Sequence, residues 1–229
     1  MSIVDGNGQA LGYNIDIVMC IDVTGSMRTI GTVRANALTL HSQIVTLANE
    51  RETCISQLRV KVIAFRDYAV DSEPMLESKF FVLDEEKEEF LDFVSAIEHY
   101  GGGDTPENAL EAMTLAFKSD WLRTGAIRRH VTIVFTDAPA KPLGTIDLAV
   151  CESYPEDMPK NMEELYAIWD DEEIMEKRAK RLIIFAPECE PWTEIGDWEG
   201  GVIHTPSMAG AGCGDIDMDD VLRLLFNSL

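Results

Sequence analysis

Short apolar runs separated by long segments are the feature that most constrains this chain. Asn14–Ile21, Leu58–Phe65, His130–Phe135 and Arg181–Ala186 each read as a strand buried on both faces, and Gly201–His204 as a weaker one. The segments between them carry a helical period. Ile30, Val33, Ala37, Leu40, Ile44 and Leu47 recur at steps of three and four, which marks one apolar helical face. Asp84 is placed to cap a helix through Glu88, Phe90, Phe93 and Ile97, Pro106 to open another, and Asp217–Leu229 to close the chain as a third. Lys79–Leu83 suits a short edge strand. Strands alternating with helices imply an α/β fold: a doubly wound, mostly parallel sheet with helices on both faces. Residues 140–180 interrupt the rhythm with Pro142, Pro155, Pro159 and an acidic, helix-like piece over Met162–Lys180. They read as an excursion near the C-terminal end of the preceding strand, so residues 1–229 are expected to form a single domain.

Charge narrows the partners. The formal net charge is −22, which repels phosphate backbones and argues against nucleic acid. Basic surfaces or cations are favoured, although many of these carboxylates serve solubility alone. No apolar run approaches the ~20 residues that span a bilayer. Met1–Gly6 shows no basic region followed by an apolar stretch, so a cytoplasmic protein is expected. The five cysteines, Cys20, Cys54, Cys151, Cys189 and Cys213, are odd in number and contain no CxxC pair, which suggests neither a disulfide framework nor a zinc site. Cys20, inside an apolar run, reads as a core residue.

Open parallel sheets bind ligands beyond the carboxyl ends of their strands. Three segments place oxygen-bearing side chains there: Asp22-x-Thr24-x-Ser26 after the first strand, the glycine-rich loop with Asp104, Thr105 and Glu107, and Asp137 after the strand ending at Thr136. Carboxylates and hydroxyls without histidine or thiolate suit hard cations such as Mg²⁺, Mn²⁺ or Ca²⁺. Each segment alone has an ordinary alternative, since Asp, Ser and Thr also cap helices and Asp137 before Pro139 also suits a plain turn. The combination, each ending a strand, is far more specific.

Asp22-Val23-Thr24-Gly25-Ser26-Met27, with Asp137 far downstream, resembles the metal-ion-dependent adhesion site of von Willebrand factor A (vWA) domains, whose motif is Asp-x-Ser-x-Ser, then Thr, then Asp. The resemblance covers most of the chain. It implies a Rossmann-like doubly wound sheet with one antiparallel edge strand, and a binding activity in which an acidic residue of a partner protein completes the metal's coordination. Two departures stand out. Thr24 replaces the first Ser and keeps the hydroxyl. Gly103-Asp104-Thr105-Pro106-Glu107 is similar to the Asp-x-Pro-Glu loop of integrin β-subunit domains, where Glu takes the ligand place that other family members give to Thr. The resemblance therefore implies Glu107 as third ligand with Thr105 as runner-up, and Asp104 supporting it or serving a neighbouring cation. Arg66-Asp67-Tyr68 and the GGGDxPE loop also look like vWA domains associated with atypical kinases, and stand-alone bacterial proteins of tellurite-resistance and stress gene clusters are similar in size.

Other residues carry less. Asp67 either orients a ligand or, more simply, pairs with Arg66 or another basic residue. His130 reads as a surface residue. The four tryptophans suit core packing, with Trp192 and Trp198 as candidates for the rim of the site. An enzyme reading starts from the same Asp22: phosphatases of the haloacid dehalogenase type use Asp-x-Asp there with Mg²⁺, but Thr24 stands where their acid/base would be and cannot do that work near neutral pH. The expected protein is a binding module and not an enzyme; a scaffold subunit with a vestigial metal site is a further alternative.

Overall fold

The structure is a computed structural model that describes residues 12–25, 27, 42–44, 46–50, 54–103, 105–147, 151, 153–210, 221 and 223–224. In chain order its elements are β1 (Tyr13–Asp22), β2 (Ile55–Phe65), β3 (Met75–Glu77), β4 (Phe81–Val82), α1 (Lys87–Ala96), α2 (Ala109–Phe117), β5 (Ile127–Phe135), α3 (Met162–Asp170), β6 (Lys180–Pro187), α4 (Trp192–Gly196) and β7 (Val202–Ser207). Residues 42–44, 46–50, 221 and 223–224 are also helical. Most of the helix expected after Ser26, most of Asp217–Leu229, and Cys213 lie outside the described residues.

The strands form one seven-stranded sheet in the order β3-β2-β1-β5-β6-β7, with β4 also beside β2. All pairings from β2 across to β7 are parallel, and only β3 and β4 run antiparallel, both against β2. The fold is a doubly wound α/β fold. The edge strand expected over Lys79–Leu83 is split, because β2 pairs with Met75–Glu77 at its far end and Phe81–Val82 nearer its start.

Alternation along each strand feeds two cores. Ile15, Ile17, Met19 and Ile21 of β1 point to one face, where they meet Val60 and Val62 of β2, Ile133 of β5, Phe90 and Val94 of α1, and Ile44. Val18 and Cys20 point to the other, against Ala112, Met113 and Ala116 of α2, Leu165 and Trp169 of α3, and Trp192 of α4. The excursion is thus a covering layer. Asn161 caps α3 by accepting from the Glu164 amide at 2.8 Å. Burying Leu165 and Trp169 beneath it contributes about 2–3 kcal/mol for each side chain.

Three local expectations change. Asp84 sits in the turn before α1, whose N-cap is Glu86; the Glu86 carboxylate accepts from the Val82 amide and Lys79 Nζ, each at 2.7 Å, so the turn extends and the helix starts later. Pro106 precedes α2 by three residues, because Glu107 first bridges in parallel to Ala140 and the N-cap is Asn108. His130 is buried, 1% exposed, and not a surface residue: its ring stacks on Trp121 at 5.1 Å and its Nε2 lies 3.0 Å from the Leu122 carbonyl.

Candidate metal centre

The chain leaves β1 for β2 on one side and returns later to place β5 on the other. The crevice at that switch lies between the carboxyl ends of β1 and β5, where Ile21 pairs with Phe135. Asp22 ends β1 and Asp137 stands two residues past the end of β5, both buried. Asp22 Oδ1 accepts from the Thr24 amide at 3.0 Å and the Thr24 hydroxyl at 2.7 Å, and Oδ2 from the Thr136 hydroxyl at 2.8 Å. Burial nevertheless pushes the Asp22 carboxyl up to about 6, with the Asp137 charge adding to the same direction and these hydrogen bonds opposing it.

The glycine-rich loop closes over this turn. Tyr100 donates its amide to the Val23 carbonyl at 3.0 Å, and Gly25 donates to the Gly101 carbonyl at 3.2 Å. Gly102 has φ +89°, and a Cβ there would sit 2.6 Å from Thr24 Cβ and 2.8 Å from Glu107 Oε1. Only a residue without a side chain lets these two segments come so close. Glu107 is held from the other side: its amide donates to the Pro139 carbonyl at 3.2 Å, and Lys141 donates its amide to the Glu107 carbonyl at 2.7 Å. The segments bearing Asp22, Glu107 and Asp137 are therefore hydrogen-bonded into one unit.

Glu107 is 2% exposed and its Oε2 has no hydrogen-bond partner among the described residues. Burial pushes its carboxyl up to about 8; the charges of Asp22, Asp67 and Asp71 push the same way, and Lys141 opposes them. Thr105 is exposed, whereas Thr24 is buried. Ser26 and Asp104 lie outside the described residues.

Asp67 pairs with Lys141 and not with Arg66. Arg66 is turned away, donating to the carbonyls of Glu73 at 2.8 Å and Glu98 at 2.6 Å, with its guanidinium 4.0 Å from the Tyr100 ring centre. Asp71 Oδ2 accepts from the Gly102 amide at 2.9 Å and the Asp67 amide at 3.1 Å, and so anchors the loop. Lys141 and Asp71 are additions to the residues singled out from sequence. The one available signal was that Lys141 stands four residues past Asp137 on the same loop. Trp192 is fully buried and is not a rim residue; its Nε1 donates to the Ala138 carbonyl at 2.9 Å and braces the turn after Asp137. Trp198 is partly buried.

Among the described residues no three His, Cys, Asp or Glu side chains form a ready-made metal cluster. The donors here are mixed, with the hydroxyl of Thr24 beside the carboxylates of Asp22, Glu107 and Asp137. An orphaned buried carboxylate oxygen and a second carboxyl raised by burial fit a hard cation, which would supply the charge that both lack.

One solved structure is similar in architecture. A pilus adhesin, SpaC from Lactobacillus rhamnosus GG, is 10% identical over 96% of this chain and 31% of its own, with a TM-score of 0.56. Proximal thread matrix protein 1 from the mussel byssus is 12% identical over 94% of this chain and 46% of its own, with a TM-score of 0.47. The chain thus spans less than half the length of either, and the adhesin shows likeness of fold alone. No curated protein matches in sequence. The model of the von Willebrand factor A domain family matches residues 16–150, more than half of the chain and the part that holds Asp22, Glu107 and Asp137. The protein belongs to the von Willebrand factor A domain family.

Proposed function

We propose that this protein is a divalent-metal-dependent protein-binding module, and the unpartnered, buried Oε2 of Glu107 beside Asp22 is the observation that carries the reading. Several carboxylates gathered in a crevice are unstable without a cation. Asp22, Asp137 and Glu107 would hold it with the Thr24 hydroxyl, and Ser26 joins them by the family resemblance. Exposed Thr105 ranks below Glu107 as third ligand. Mg²⁺ is the first choice, with Mn²⁺ and Ca²⁺ accepted by the same oxygen set. When bound, the cation offers an open coordination position to an Asp or Glu carboxylate of a partner protein.

The chain's own residues set the shape of that position. Thr24 and Thr136 hydroxyls orient Asp22, Gly102 brings the loop against Thr24, and Trp192 braces the Asp137 turn. The module is read as non-enzymatic because Thr24 offers no acid/base group at the place where a phosphatase of this geometry needs one. A part in a stress response rests on the resemblance to stand-alone bacterial relatives. Among the described residues no helix is long and apolar enough to cross a membrane.

Calorimetric titration of Mg²⁺ into metal-free protein tests the proposal. A single ion bound per chain, lost in the Asp22→Ala, Asp137→Ala double variant, is the expected result. Binding that the variant retains, or no binding by either protein, would overturn it.

A further inference from the structure

A groove separate from the crevice opens between α3 and the segment that begins with α4, with a volume of ≈ 430 Å³. Tyr166 and Trp198 form one wall, with ring centres 5.2 Å apart in an edge-to-face arrangement at 71°. Glu163, Glu194, Asp197 and Glu199 surround them, and all four are exposed. No lining residue is basic, and among the described residues none of these carboxylates forms a salt bridge. Lys180, which packs against Gly200 next to Glu199, is buried and directed to the Trp169 carbonyl at 2.6 Å and Asp170 at 3.4 Å. The carboxylates alone would be a solvated rim. The aromatic wall and the recess they surround set the groove apart from the rest of an acidic surface.

We propose that this groove is a docking site for an arginine side chain of a protein partner. A guanidinium is planar, stacks on an indole or phenol ring, and makes two parallel hydrogen bonds to a carboxylate. Trp198 and Tyr166 supply the rings. Glu194 and Asp197 on one side and Glu163 on the other supply acceptors, so a side chain entering along the aromatic wall meets negative charge from both elements. The fit is to arginine rather than lysine because the ammonium of lysine is a compact charge without a stacking plane. The occupant is a protein side chain, since a net charge of −22 attracts basic protein surfaces and excludes nucleic acid. The groove uses no residue of the metal centre, so its occupancy is independent of a cation there.

The test uses the full chain in chelator and a blocked peptide with two adjacent arginines, followed by calorimetry. Three variants accompany the wild type: Trp198→Leu, the pair Glu194→Gln and Asp197→Asn, and a control pair, Glu85→Gln and Glu88→Gln, which removes the same charge from exposed positions around the start of α1. A peptide with citrulline in place of arginine keeps the shape and removes the charge. The expected outcome is about a tenfold loss of affinity in Trp198→Leu and in the groove pair, with at most a twofold loss in the control pair and no binding of the citrulline peptide. Equal losses in the groove and control pairs, full affinity in Trp198→Leu, or no binding by the wild type would overturn the proposal. Because metal is absent throughout, none of these outcomes depends on the metal-centre reading.

Discussion

Replacing Glu107 with Gln should stabilise the metal-free protein while weakening cation binding. Burial raises the Glu107 carboxyl from 4.5 to about 8. Folding therefore takes up a proton at this residue as pH rises above its unfolded value. The sign follows from linkage: the group costs nothing below about pH 4.5, costs progressively more as pH rises, and levels off above about pH 8. At about 1.4 kcal/mol per pH unit, the cost is about 3 kcal/mol near pH 7 and about 5 kcal/mol at the plateau. Glutamine carries no charge to desolvate and so escapes this cost, although it leaves a polar atom in the same place. Urea denaturation in chelator, from pH 4 to pH 9, compares the two proteins. Their stabilities should agree near pH 4 and diverge by about 3 kcal/mol in favour of Glu107→Gln near pH 7. Added Mg²⁺ should close the gap by stabilising only the wild type. Parallel curves across the whole pH range would refute the argument, because they would mean that Glu107 keeps its charge solvated.

Four further outcomes follow from the same geometry. Glu107→Ala should weaken Mg²⁺ binding at least about tenfold while Thr105→Ala changes it less than about twofold, because Thr105 is exposed and Glu107 points inward; the reverse ranking in calorimetry would reject Glu107 as third ligand. Gly102→Ala places a Cβ against Thr24 and Glu107 at a φ of +89°, so a thermal melt should show a loss of more than about 1 kcal/mol, and an unchanged melting point would show that the loop is free to move. Trp192→Phe removes the close donor of the buried Ala138 carbonyl and leaves it only the Thr136 hydroxyl at 3.5 Å, which should cost about 1–3 kcal/mol in denaturant and lower Mg²⁺ affinity through the Asp137 turn; unchanged affinity would separate the brace from the site. Burial holds His130 below its usual 6.5, so the unfolded chain binds the extra proton and stability is lost as pH falls below that value; His130→Gln should flatten this part of the acid limb, and an identical limb would show that the ring is charged in the fold.

The sequence determined the local pieces. Strands β1, β2, β5 and β6 announce themselves because burial on both faces demands uninterrupted apolar runs, and the runs of β1, β2 and β5 are closed by polar residues that need hydrogen-bonding partners: Asp22, Arg66 and Thr136. Those ends also locate the candidate site, since ligands of a parallel sheet gather there. A core role for Cys20 and a salt bridge at Asp67 were legible for the same reason, as both depend on residue type and the neighbouring run.

What only the tertiary structure decided depends on contacts between distant segments. His130 and Trp192 look exposed or rim-like in sequence, yet one stacks under Trp121 and the other reaches the Ala138 carbonyl 54 residues away. Asp67 lies beside Arg66 but finds Lys141, 74 residues on, because the loops after β2 and β5 meet at the same end of the sheet. The edge strand divides, and the helices at Asp84 and Pro106 start late, because Glu86 and Glu107 satisfy partners outside their own segments before the helix can begin. Glu107 is the sharpest case. Its type and spacing suggested a ligand, but its orphaned oxygen and raised carboxyl arise from the burial and like charges that Asp22, Asp67 and Asp71 bring from separate parts of the chain. Periodicity fixes which residues face inward along one element, whereas desolvation and electrostatics are properties of the space between elements, which exists only once the sheet order is set.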